Sequence, residues 1–315
     1  MKIPRLDPAL VSRFRGRDVV STRDFTRDEV LFVLDAARRL DAVEKPLLSG
    51  RVLATLFFEP STRTRLSFES AMKRLGGSTI GFADPEVSSA AKGETLHDTV
   101  RVVEGYCDAI VIRHPREGAA RVAAEATRLP VLNGGDGANQ HPTQAFVDLY
   151  TIREAQGTAT GLNLGFLGDL KYGRAAHALL TGAAMLGNRI TLISPPELRL
   201  PAPLLEELRD LGAKPVQTAD LDTVLGDLDV LYVTRIQQER FPDPMEYERV
   251  RNAYRIDRAT LERGRKGLCV LHPLPRVREI DPEVDAMDGA LYFRQAHNGV
   301  TVRKALLCLL LGAMP

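Results

Sequence analysis

Residues 52–65 read Val52-Leu53-Ala54-Thr55-Leu56-Phe57-Phe58-Glu59-Pro60-Ser61-Thr62-Arg63-Thr64-Arg65. The first six are apolar, and a run of that length and composition makes a buried strand. Beyond the stretch, Leu66, Phe68, Ala71, Met72 and Leu75 recur at helical spacing until Gly76-Gly77 stops the pattern. Phe58 to Arg65 is therefore a strand-to-helix turn, with Pro60 favouring the turn into helix and Ser61 or Thr62 available as the cap. A helix start leaves backbone N–H groups unpaired, and the helix dipole adds to their pull on an anion. An ordinary capped helix with a solvated Arg accounts for any single Ser-Thr pair. Three hydroxyls and two guanidinium groups within residues 61–65 favour an anion site instead, because they supply charge-assisted, forked contacts suited to a phosphate. The site is not a Gly-rich phosphate loop, since G-x-x-x-x-G-K-S/T is absent.

Outward from this turn, strands and helices alternate. A capping-box sequence, Thr26-Arg27-Asp28-Glu29, opens a first helix carrying Val30, Leu31, Val33, Leu34, Ala37 and Leu40 on its inner side. Strands are expected at 51–57, 78–82, 108–113 and 130–133, with helices at 66–75, 95–106 and 117–127. An amphipathic helix over Pro142 to Ala155 ends in the soft sequence Gln156-Gly157-Thr158-Ala159-Thr160-Gly161. A second series follows, with strands near 163–168, 189–194, 214–218, 229–234 and 268–271 and helices near 173–186, 203–211 and 247–263. Such alternation with short connections gives an α/β protein of two doubly wound parallel-sheet domains. The final apolar helix, 298–312, is the element to pack back on the first domain.

At 315 residues the chain accommodates two cores, and 42 basic against 41 acidic side chains leave a net charge of +1. That balance provides no global field for nucleic acid or membrane. The start lacks an apolar signal core, and the apolar stretch Ala305 to Met314 is too short to span a bilayer. Cys107, Cys269 and Cys308 are scattered in apolar runs, which fits reduced core thiols. The histidines show no zinc-ligand spacing. The composition reads as a soluble, cytoplasmic protein that needs neither metal nor cofactor.

In open parallel sheets, ligands bind beyond the carboxyl ends of the strands. Those ends carry Ser61-Thr62-Arg63-Thr64, Arg113-His114-Pro115, Asn133 through Pro142, Gly168 through Arg174, Arg235-Ile236-Gln237 and His272-Pro273-Leu274-Pro275-Arg276. Nearly every end delivers an Arg, a His or a polar amide. His141 before Pro142 has a plain reading as a helix cap, but its neighbours Asn139, Gln140 and Gln144 make it part of a polar cluster. Gly165-Phe166-Leu167-Gly168-Asp169 is half of a dinucleotide fingerprint, and Asp169 comes too early for a ribose contact, so NAD is not expected. The loop Asp84 to Glu94 is either simply solvated or a substrate-contacting lid. Arg63, Lys92, Arg113, Arg174 and Arg235 outweigh the acids at these ends. There is no G-x-S-x-G elbow and no Cys-His pairing. The residues suit group transfer from a small phosphorylated donor to an anionic acceptor, driven by proximity and electrostatics.

Ser61-Thr62-Arg63-Thr64-Arg65, Arg113-His114-Pro115, His141-Pro142-Thr143-Gln144 and His272-Pro273-Leu274-Pro275 occur in the order and spacing of the transcarbamylases, and the resemblance runs over essentially the whole chain. Asp169-Leu170-Lys171-Tyr172-Gly173-Arg174 and His272 through Arg276 narrow it to the aspartate-specific members. The resemblance implies a carbamoyl-phosphate domain of residues 1–142 plus 293–315 and an aspartate domain of residues 143–292. It implies that Ser61, Thr62, Arg63 and Thr64 grip the phosphate, and that Arg113 bridges phosphate and carbonyl oxygen. Thr64 and His141 would polarise that carbonyl, with Gln144 on the carbamoyl amide. Arg174 would clamp the α-carboxylate of aspartate and Arg235 with Gln237 the β-carboxylate. The Leu274 carbonyl, fixed by Pro273 and Pro275, would orient the amine. Ser88 and Lys92 would come from a neighbouring subunit of a homotrimer, with regulatory chains or a dihydroorotase as candidate further partners. Two positions depart from the pattern: Ala91, where relatives often carry a second basic residue, and Ala175, where some have a hydroxyl. A transcarbamylase for ornithine is the nearest rival, though Arg235 would repel its side-chain cation. A non-catalytic scaffold would not need the full set of Arg63, Arg113, His141, Arg174 and Arg235.

Overall fold

Val52–Phe57 forms a buried central strand, as its unbroken apolar run requires, and the helix that follows it starts at Arg63. The computed structural model describes residues 6–41, 43–83, 93–238, 241 and 243–315. It divides into two compact units, residues up to Val147 with His297–Pro315, and Asp148–Ala296.

The chain runs α1 (Pro8–Phe14), α2 (Arg27–Leu40), β1 (Val52–Phe57), α3 (Arg63–Arg74), β2 (Ser78–Phe82), α4 (Leu96–Val103), β3 (Ala109–His114), α5 (Ala119–Ala126), β4 (Val131–Asp136) and α6 (Pro142–Gln156). It continues with β5 (Asn163–Leu167), α7 (Arg174–Met185), β6 (Arg189–Ile193), α8 (Ala202–Asp210), β7 (Val216–Thr218), β8 (Val230–Val233), α9 (Pro244–Val250), α10 (Arg258–Glu262), β9 (Cys269–Leu271) and α11 (Tyr292–Leu310). Two wholly parallel sheets result, in the orders β2-β1-β3-β4 and β7-β6-β5-β8-β9. Both are doubly wound, as the alternation predicts.

In the first unit Ala54, Leu56, Ile110, Ile112 and Val131 of the sheet pack on Ala120 and Ala123 of α5 and Val100 of α4. The capping box at Thr26 forms, its side chain accepting from the Glu29 amide while Glu29 accepts from the Thr26 amide. The C-terminal part of α11 belongs to this unit, where Lys304 Nζ donates to the Leu40 and Val43 carbonyls at 2.8 Å each. In the second unit Leu167, Leu231, Val233 and Val270 form a core with Leu225, Ile256 and Tyr292.

Four local expectations change. Thr62 stands at the N-cap of α3 but is itself helical (φ −80°, ψ −58°) and makes no side-chain cap bond, because a hydroxyl in that backbone setting does not reach the first-turn amides. Helix α6 is buried on nearly all faces and not amphipathic. Its polar positions are partnered, with Thr143 Oγ1 accepting from Arg303 Nη2 at 3.4 Å and Asp148 from Tyr232 and Gln295. The expected helix 247–263 is two, α9 and α10. Between them Ile256 is drawn into a bridge with Ile280, its N–H donating to the Glu279 carbonyl at 2.9 Å. The last helix starts at Tyr292, six residues before the apolar run that announces it.

Candidate active site

Each sheet has one point where the strand order reverses, between β1 and β3 in the first unit and between β5 and β8 in the second. At such a point the connections leave in opposite directions and a crevice opens beyond the carboxyl ends.

In the first unit Phe57 and Arg113 are register partners at that point. Arg113 is tethered from both sides, its Nε lying 3.4 Å from Glu59 Oε2 and its Nη1 3.5 Å from the Gly134 carbonyl. Arg63, Thr64 and Arg65 make the first turn of α3. Thr62 and Arg63 are exposed, Ser61 is half-buried, and Thr64 turns inward. Thr64 Oγ1 lies 3.3 Å from His141 Nε2, and its carbonyl accepts the Ser67 hydroxyl at 2.9 Å. His141 also stands at the start of α6, where its carbonyl receives the Gln144 and Ala145 amides. Cap and site are thus the same residue. Gln144 follows three positions on, on the same helix face as His141 and half-buried.

The loop that delivers His141 is built around Asp136, which is buried. Its carboxylate accepts from Gly118 N (2.8 Å), Asn133 Nδ2 (2.8 Å), Asn139 Nδ2 (3.0 Å) and Gln140 N (3.1 Å). Neither Asp136 nor Glu59 stands out in the sequence as a supporting group. Their signal, an acid just past a strand end among donors, is visible only once the partners are known.

In the second unit Leu167 of β5 and Val233 of β8 are register partners at the reversal. Gly168 follows with φ +112°, and a Cβ on it would meet the Thr234 carbonyl oxygen at 2.3 Å. Only glycine lets these two strand ends approach so closely. Asp169 comes next, wholly buried, accepting the amides of Tyr172 (2.9 Å), Lys171 (3.1 Å) and Gln237 (3.4 Å). Burial pushes its carboxyl up, and those amides oppose the push. Asp169 thereby links the turn leading to Arg174, the first residue of α7, with the segment of Arg235 and Gln237. Gln237 Nε2 adds a bond to the Tyr172 carbonyl at 3.3 Å. A 310 Å³ cavity lies here, lined by Gly168, Thr234, Arg235, Tyr247, Arg251 and Glu279. After β9, Leu274 has a left-handed backbone (φ +57°) and a cis bond to Pro275.

Ser88 and Lys92 fall outside the described residues, as does Ala91. The other candidates group by unit: Ser61, Thr62, Arg63, Thr64, Arg113, His141 and Gln144 at the first reversal, and Arg174, Arg235, Gln237, Leu274 and Pro275 on the strand-end loops of the second sheet. Among the described residues no group of three His, Cys, Asp or Glu side chains is placed to hold a metal, and no helix is long and apolar enough to cross a membrane. Each reversal is a cation-bearing strand end with a buried acid, Asp136 or Asp169, holding a neighbouring loop, an arrangement suited to one small anion in each unit.

Residues 17–154 match the family model for the carbamoyl-P binding domain of aspartate/ornithine carbamoyltransferase, and residues 160–310 the model for its Asp/Orn binding domain. The chain is 58% identical over 307 residues to the aspartate carbamoyltransferase catalytic subunit of Methanopyrus kandleri, covering 96% of this chain and 99% of that one. It is 56% identical to the same subunit of Thermococcus gammatolerans, over 96% and 99% of the two chains. Among solved structures, the catalytic subunit of M. jannaschii aspartate transcarbamoylase superposes with a TM-score of 0.85 at 49% identity, over 92% and 96% of the chains. The Trypanosoma cruzi aspartate transcarbamoylase in complex with carbamoyl phosphate and aspartate gives 0.90 at 38% identity, over 98% and 100%.

Proposed function

The chain belongs to the aspartate/ornithine carbamoyltransferase family, and from that premise we propose how its residues divide the reaction between two anions. The enzyme is an aspartate carbamoyltransferase: the carbamoyl group of carbamoyl phosphate passes to the amine of L-aspartate, giving N-carbamoyl-L-aspartate and phosphate, in de novo pyrimidine synthesis. The observation that carries the reading is the pairing of Arg113 with Phe57 at one reversal and the seating of Arg235 beyond β8 at the other.

Residues 1–142 with 293–315 serve carbamoyl phosphate, and residues 143–292 serve aspartate. Ser61, Thr62, Arg63 and Thr64 hold the phosphate at the start of α3, where amides and dipole favour it. Arg113, held from the Glu59 and Gly134 sides, spans phosphate and carbonyl oxygen. Thr64 and His141, already within 3.3 Å of each other, converge on that oxygen and stabilise the charge that grows there during attack. Gln144 takes the carbamoyl amide. Arg174 binds the α-carboxylate, Arg235 and Gln237 the β-carboxylate, and the Leu274 carbonyl beside Pro275 accepts a hydrogen bond from an amine N–H, aiming its lone pair. The nitrogen bonds to the carbonyl carbon, the bond from that carbon to the phosphate oxygen breaks, and the departing phosphate takes the amine proton. No protein base is required. Ser88 and Lys92 reach the site from a neighbouring subunit of a homotrimer. Regulatory chains or a dihydroorotase are further candidate partners, and the cytoplasm is the site of action.

The test is phosphate release from carbamoyl phosphate with L-aspartate or L-ornithine. Turnover with aspartate and none with ornithine is expected, since Arg235 repels a side-chain cation. Turnover with ornithine alone, or with neither amine, refutes the reading.

A further inference from the structure

Leu274 holds a conformation that its own chemistry disfavours. A branched side chain at φ +57° crowds its own backbone, and such a residue persists only where its surroundings over-determine it. The surroundings are a chain of buried hydrogen bonds ending on His272. Tyr232 Oη donates to Asp148 Oδ2 at 2.9 Å, and Gln295 Nε2 donates to Asp148 Oδ1 at 2.6 Å. The Gln295 amide oxygen then accepts the backbone N–H of His272 at 2.9 Å. All four side chains are buried.

The imidazole carries the chain onward in one tautomer. Nδ1 accepts the Leu274 N–H at 2.8 Å, so the proton sits on Nε2, which donates to Glu279 Oε1 at 2.8 Å. Glu279 folds the loop back, accepting the amides of Val277 and Arg278. The imidazole is wholly enclosed and faces Glu279, with Arg235 and Arg276 as the nearby cations. Burial pushes its pKa down, which keeps Nδ1 an acceptor.

We propose that His272 is a positioning residue for transfer to the amine: it accepts the Leu274 N–H, fixes the left-handed turn and thereby aims the Leu274 carbonyl at the incoming amine. The inference rests on the role given to Leu274 above. A His that only filled the core would serve equally well with any acceptor geometry, whereas this role depends on the Nδ1 atom.

The two amide replacements separate these cases. In His272→Asn the Oδ1 atom falls where Nδ1 was and still accepts the Leu274 N–H. In His272→Gln the amide reaches the Nε2 position, keeps Glu279 company and leaves the Leu274 N–H without its acceptor. His272→Gln is expected to raise the aspartate KM about tenfold and lower kcat several-fold, the tenfold term corresponding to ~1.4 kcal/mol. His272→Asn is expected to recover most of that loss, and both variants should bind carbamoyl phosphate within about twofold of wild type. Equal impairment of the two, wild-type kinetics in both, or a healthy Gln beside a damaged Asn overturns the proposal. Should His272→Gln fail to fold, Glu279→Gln decides. It retains an acceptor for Nε2–H and should raise the aspartate KM only two- to threefold; a loss of tenfold or more puts control in the Glu279 charge and overturns it. A wild-type enzyme inactive toward aspartate would instead refute the functional reading itself.

Discussion

Replacing Gly168 by Ala loads the reversal point of the second sheet with one methyl group. The new Cβ would lie 2.3 Å from the Thr234 carbonyl oxygen and 2.8 Å from its Oγ1. Real Cβ contacts essentially never fall below 3.0 Å, so β5 and β8 must part by about 0.7 Å at their carboxyl ends. Overpacking of this kind costs about 1–3 kcal/mol, and holding Ala at a φ of +112° adds roughly 1–3 kcal/mol. Part of the strain relaxes by displacing Thr234, whose N–H and hydroxyl both bond the Leu167 carbonyl, and the neighbouring Arg235 moves with it. A net loss of about 2–5 kcal/mol lowers the melting temperature of a unit this size by roughly 5–15 °C. With Arg235 as the proposed carboxylate clamp, displacement by that distance costs on the order of 10- to 100-fold in kcat/KM for aspartate. Calorimetry and steady-state kinetics read the two effects, with carbamoyl phosphate affinity as an internal control. A melting temperature within about 1 °C of wild type and an unchanged aspartate KM would refute the close-packing argument.

Thr64→Val keeps the shape of a buried side chain and removes the hydroxyl facing His141; kcat should fall roughly 10- to 100-fold with little change in melting temperature, and a wild-type kcat counts against Thr64 touching the reacting carbonyl. Acid should destabilise the protein in two stages. Burial lowers the His272 pKa below its unfolded value of about 6.5, so that stability is complete above that pH and is lost as pH falls through it. Burial also pushes Glu279 up, but its bond from His272 outweighs this and holds it near about 2, so a second loss runs from about 4.5 downward. Burial lowers the His114 pKa as well, so denaturant midpoints measured from pH 8 to 3 should show both limbs, and His272→Asn should shrink the upper one without abolishing it. In the proposed homotrimer, mixing Arg63→Ala with Lys92→Ala chains and reassembling them should restore part of the activity through hybrid sites; none, with trimers confirmed, argues against shared sites.

Much of the fold and of the candidate site is legible in the sequence. Apolar runs such as Val52 to Phe57 and Leu164 to Leu167 announce buried parallel strands because both faces are covered, and the Arg-bearing turns follow them directly. The strand order is another matter. That β1 and β3 flank one reversal and β5 and β8 the other depends on pairings between distant segments, which local patterns do not encode. Helix α6 departs from the expected amphipathic pattern for a related reason: its polar Thr143, Asp148 and Thr151 are all buried. Asp169 stands out in the sequence only as part of its motif, and Asp136 not at all; that each is a buried hub for loop donors depends on the fold. His272 stands out in the sequence only through the motif around it, whereas its grip on Leu274 depends on the partners of both ring nitrogens. The α9–α10 break likewise depends on Ile280 meeting Ile256 from elsewhere in the chain.

The division of labour between the two reversal points is tested most directly by varying both substrates against Arg113→Lys and Arg235→Lys. Lys keeps the charge and loses the fork, a cost of roughly 2–3 kcal/mol or about 30- to 150-fold at a bidentate contact. Arg113→Lys should lose kcat and weaken carbamoyl phosphate. Arg235→Lys should raise the aspartate KM and leave carbamoyl phosphate affinity within about twofold of wild type. An Arg235→Lys enzyme that binds carbamoyl phosphate as poorly as the Arg113 variant, or keeps a wild-type aspartate KM, would contradict the account.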